Sequence, residues 1–68
     1  MNDFGFARGQ LYNLYDPFER LSRGPCILLE APSSLSLPSL MDTPVLTSRG
    51  IRFVSAYELL VSELLLDA

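Results

Sequence analysis

Hydrophobic positions change their spacing several times along the chain, and each change marks an expected element. In residues 7–15, Leu11, Leu14 and Tyr15 fall on one face of a short helix. The same stretch, with Phe4, Phe6 and Tyr12, also reads as an extended aromatic arm (1–15) that docks into a partner, and the spacing leaves both open. Asp16-Pro17-Phe18-Glu19 then has the form of a helix start: Asp16 as cap, Pro17 in the first turn, Glu19 three residues after the cap. Gly24 and Pro25 fit its stop, and Arg20 and Arg23 sit where positive charge suits a helix C-terminus.

Cys26-Ile27-Leu28-Leu29-Glu30 is a short apolar run between two prolines and predicts a strand. Residues 31–44 form a Pro/Ser/Leu-rich connection whose prolines exclude an interior strand. Leu35, Leu37, Leu40 and Met41 make it too greasy for a free linker, so it is expected to lie on a surface. Val45-Leu46-Thr47 and Ile51-Arg52-Phe53-Val54, joined by Ser48-Arg49-Gly50, predict a hairpin with one wet face.

The sharpest local signal is Ser55-Ala56-Tyr57-Glu58, a capping box, in which Ser caps the helix and Glu reaches back to the cap amide. It predicts a C-terminal helix over 55–67 with Tyr57, Leu60, Val61, Leu64 and Leu65 on its main face. Leu59 and Leu66 fall almost opposite, as a second, narrow apolar stripe. A surface helix needs one stripe, and the second suggests a neighbour, although single exposed leucines are common. Glu63 and Asp67 crowd the end of this helix, where a basic patch on a partner would offset them. The sum is an α+β chain: one small domain (1–68) with a short N-terminal helix or arm, a β-hairpin and a C-terminal amphipathic helix.

Composition changes this picture in one respect. The chain has 68 residues, 49% hydrophobic and only 19% charged. That excludes disorder by composition. A chain of this length nevertheless buries only about 60% of the surface that its unfolded form exposes. Small domains usually add disulfides, a metal or a partner chain. One Cys and no His remove an internal disulfide and a Cys/His zinc site, so apolar surface is expected to be buried against another protein.

Charge and residue types narrow the chemistry further. There is no His for a catalytic triad, and all five cations are Arg, so a lysine Schiff base is excluded as well. Cys26 lies in an apolar run and reads as a buried, inert thiol. Glu58 and Glu63, or Asp16 and Glu19, could in principle do acid–base work, but capping and solvated helix faces explain them. A net charge of −3 argues against a nucleic-acid or anionic-membrane binder. No stretch has the length of a membrane span, and the chain begins without a basic and apolar leader.

The expectation is a non-catalytic structural or assembly subunit that packs Leu-rich and aromatic surface on larger proteins. It would lie inside a cell or an assembled particle, such as a virus particle. The expected contact residues are Leu59, Leu66, Leu35, Leu37, Leu40, Phe4, Phe6, Tyr12 and Tyr15. The partner is a protein or a second copy, with no cofactor, metal, nucleic acid or small-molecule substrate. The rival reading is a small soluble inhibitor or adaptor, folded alone or as a homodimer, that masks a site on one target.

Overall fold

Backbone pairing decides the architecture. The computed structural model describes residues 5–32 and 41–68. In chain order the elements are β1 (Leu11–Asp16), β2 (Leu21–Leu28), β3 (Thr43–Thr47), β4 (Gly50–Val54), α1 (Ala56–Leu60) and β5 (Glu63–Leu66). The strands form one sheet in the order β4-β3-β2-β1-β5, and every neighbouring pair is antiparallel. The α+β expectation with a C-terminal amphipathic helix is therefore corrected. The described chain is a five-stranded antiparallel sheet with a single short helix.

Where a helix was expected over 7–15, the chain runs as β1. Its buried residues are Tyr12, Leu14 and Asp16, alternating with Leu11, Asn13 and Tyr15. Residues 11, 12, 14 and 15 satisfy both a helical and a two-residue period, and pairing with β2 and β5 on either side selects the strand. Asp16 does cap, but it caps a turn. Its Oδ1 accepts from the amides of Phe18 at 2.9 Å and Glu19 at 3.1 Å. Arg20 then takes a left-handed φ of 57°, which ends any helix, and Leu21 opens β2. Arg23 serves no helix terminus. Its guanidinium donates to Asp16 Oδ2 at 2.8 Å.

Pro25 stands inside β2, opposite Asn13 of β1. β3 pairs only with Cys26, Ile27 and Leu28, so the missing amide of Pro25 interrupts no ladder on that side. The hairpin expected around Ser48-Arg49-Gly50 is present, with Thr43 to Thr47 facing Val54 to Gly50. Thr47 Oγ1 closes the turn by accepting from the Arg49 amide at 3.1 Å and donating to the Gly50 carbonyl at 2.9 Å.

The capping box forms as well. The Glu58 amide donates to Ser55 Oγ at 3.2 Å, and Glu58 accepts in return from the Ser55 amide. The helix it starts ends at Leu60, far short of the expected 67. Ser62 explains the stop. Its hydroxyl donates to the Glu58 carbonyl, taking the place of the next helical amide, and accepts from the Tyr15 amide of β1 at 2.9 Å. Glu63 to Leu66 then pair with β1 instead of extending the helix.

One face of the sheet carries the core. Tyr12 and Leu14, Cys26 and Leu28, Val45, and Val54 are buried together, with Leu59 of α1 and Phe6 of the leading segment across them. Gln10, also buried, fastens that segment. Its Nε2 donates to the Gly5 carbonyl and to Asp67 Oδ1, both at 2.9 Å. Its Oε1 accepts from the Ala7 amide and the Tyr12 hydroxyl, both at 2.8 Å.

Candidate functional site

The opposite face of the sheet has an unusual composition. Antiparallel sheets with one solvated face alternate apolar-in and polar-out. Here the register brings an outward residue of every strand into one apolar row. Leu66 of β5 stands opposite Leu11 of β1, Leu11 opposite Ile27 of β2, Ile27 opposite Leu46 of β3, and Leu46 opposite Ile51 of β4. Four strand spacings make this row about 19 Å long. Ile51 and Leu66 at its two ends are 66% and 63% exposed, and Ile27 and Leu46 in the middle 40% and 41%. Phe53 lies two residues beyond Ile51 on the same side and is also exposed. Between Leu11, Pro25, Ile27 and Leu46 the face dips into a shallow apolar depression of about 260 Å³.

A second feature opens at the end of the core, between the β1–β2 and β3–β4 hairpins. Along the inner face, Leu28, Cys26 and Val45 give way to Gly24, Thr47 and Gly50, which are too small to continue the packing. The space left is a cleft of about 510 Å³, lined by Leu14, Leu21, Ser22, Arg23, Thr47, Ser48, Arg49, Gly50, Ile51 and Arg52. Arg52 stands opposite the buried Val45, so its position belongs to the inner face. Arg23 is held at Asp16, whose carboxyl this hydrogen bond, with the two turn amides, keeps below the usual carboxylate range.

The residues expected to contact a partner divide into three groups. Leu59, Phe6 and Tyr12 are buried in the core and offer no free surface, which corrects their assignment. Leu59 was placed on an outer stripe by extending the helix to residue 67, whereas in the short α1 it faces the sheet. Phe6 and Tyr12, read as an outward arm, pack edge to face with ring centres 6.2 Å apart. Leu66 and Tyr15 are exposed, and Leu66 ends the apolar row. Phe4, Leu35, Leu37 and Leu40 lie outside the described residues. Leu11, Ile27, Leu46 and Ile51 were missed as contacts because only the register of five strands aligns them. The alternation Ile51-Arg52-Phe53 was their one visible trace.

Two of the groups that could carry catalysis are buried in structural roles. Cys26 is buried, and burial pushes its thiol up, away from the reactive thiolate. Glu58 is buried in the capping box. Among the described residues, no three His, Cys, Asp or Glu side chains gather to hold a metal ion, and no helix is long and apolar enough to cross a membrane. No protein-family model, curated protein or solved structure matches this chain.

Proposed function

We propose that this protein is a non-catalytic assembly subunit that buries the outer face of its sheet against a protein neighbour. The apolar row Leu66–Leu11–Ile27–Leu46–Ile51 carries this reading. A solvated antiparallel face has no reason to place an apolar residue at the same level of all its strands. Patches of this kind mark interaction surfaces in soluble proteins. Burial of the two row ends alone would remove apolar surface worth several kcal/mol at about 25 cal/mol per Å².

Site-specific photo-crosslinking in the cells that make the protein tests this. A photoreactive residue at position 46 or 51 should join the chain to a discrete protein, whereas the same residue at Arg8 or Glu19, both off the row, should not. Equal labelling from all four positions, or none from 46 and 51, would remove the outer face as an interface.

The adaptor or inhibitor reading also has support, from the completeness of the fold. The described residues have their own core, and no buried side-chain nitrogen or oxygen among them lacks a hydrogen-bond partner. A chain so satisfied can fold before it meets a target. Light scattering after size exclusion separates the two. A folded 7.6 kDa species favours the adaptor, and a chain stable only within a larger species favours the subunit.

A further inference from the structure

The cleft between the two hairpins supports an inference that does not depend on what covers the outer face. Three of the chain's five arginines, Arg23, Arg49 and Arg52, line it, and no carboxylate among the described residues does, although the chain carries eight acids and a net charge of −3. Arg23 is bonded to Asp16 from the side. Arg49 and Arg52 form no ion pair among the described residues, so about two positive charges face the space. The Ser48 side chain adds a hydroxyl donor and Leu21 adds apolar wall, while the Ser22 hydroxyl donates to Asn13 Oδ1 at 3.1 Å.

We infer that this cleft binds a small organic phosphate monoester. Its phosphoryl oxygens would lie on Arg49, Arg52 and the Ser48 hydroxyl, and its apolar body against Leu21. The guanidinium fork suits phosphate oxygens and can meet two at once. A phosphate monoester carries about −1.5 to −2 at pH 7, which matches two unpaired guanidinium groups, whereas one carboxylate would leave a charge over. The volume of about 510 Å³ falls within the range of small-molecule sites and exceeds what a bare phosphate fills. The inference concerns binding, with no turnover.

Isothermal titration calorimetry on the full chain tests it, with phenyl phosphate, benzoate and inorganic phosphate as probes. Phenyl phosphate should bind once per chain, at least tenfold more tightly than benzoate and several-fold more tightly than inorganic phosphate. Its affinity should fall below about pH 6, where the second phosphate proton returns. Arg49→Gln and Arg52→Gln should each weaken it at least tenfold with unchanged far-UV circular dichroism, and Arg8→Gln, which removes the same charge elsewhere, should change it less than twofold. Three results would each overturn the site: equal binding of benzoate, equal weakening by Arg8→Gln, or no saturable heat at millimolar phenyl phosphate. Equal binding of inorganic phosphate would remove the apolar body from the assignment.

Discussion

Gln10 shows how much of this small fold hangs on single polar side chains. Its amide makes four hydrogen bonds, tying the leading segment at Gly5 and Ala7 to the Tyr12 hydroxyl and to Asp67 beyond β5. The Tyr12 hydroxyl has Gln10 as its acceptor in a buried setting, and burial followed by the Asp67 charge pushes its pKa up. Gln10→Leu keeps the volume but leaves that hydroxyl unpaired. It should cost about 1–3 kcal/mol, read as a lower urea midpoint, and the added Tyr12→Phe change should recover part of the loss. Asp16 gives a pH signature. Its folded pKa is depressed, first by the Arg23 hydrogen bond, so the folded state binds its proton less readily than the unfolded chain does. The stabilisation is complete above the unfolded value of about 4 and is lost as pH falls through the lower folded value. Urea midpoints measured from pH 6 to pH 2 should fall across that window, and Asp16→Asn should flatten the fall.

At the scale of elements, the capping box and the hairpin turn formed as expected, whereas the helix start at Asp16 gave only a turn and the last helix stopped early. The Ser55–Glu58 box and the Ser48-Arg49-Gly50 turn are satisfied by residues within a few positions, so short-range pattern was enough to find them. The end of α1 was not visible in the same way. Leu59 to Leu66 reads as helix throughout, and what stops it is the bond from the Tyr15 amide, 47 residues away in sequence, to Ser62 Oγ. β1 was ambiguous for the same reason, because its choice between helix and strand rests on β2 and β5. The apolar row was the least visible feature, since it exists only in the register of five strands. Ser62 thus acts as a switch between two readings of one leucine-rich run. Ser62→Ala removes its bonds to Glu58 and Tyr15 and should cost about 1 kcal/mol. It should also loosen β5, and hydrogen exchange at Glu63 to Leu66 should speed up ahead of exchange in β2 and β3.

For the whole molecule, the balance of apolar residues separates folding from association. Among the described residues, nine hydrophobic side chains are buried and fourteen large ones are exposed. A core this small supplies about 3–5 kcal/mol net, so any one of its members is close to indispensable. Leu59 and Leu66, which look equivalent in the sequence, therefore have opposite roles. Leu59 is 1% exposed, and Leu59→Ala should cost about 2–5 kcal/mol, enough to unfold much of the population at 25 °C. Leu66 ends the outer row, and Leu66→Ser should change the unfolding free energy by no more than about 0.5 kcal/mol while weakening association. Circular dichroism during urea titration reads the first effect, and light scattering together with crosslinking from position 46 reads the second. A Leu66→Ser chain that unfolds would move the row into the core of the fold and leave the sheet without a free interface. A Leu59→Ala chain that melts like the wild type would mean that α1 contributes little to the core, and the stability of the sheet would then have to come from whatever covers its outer face.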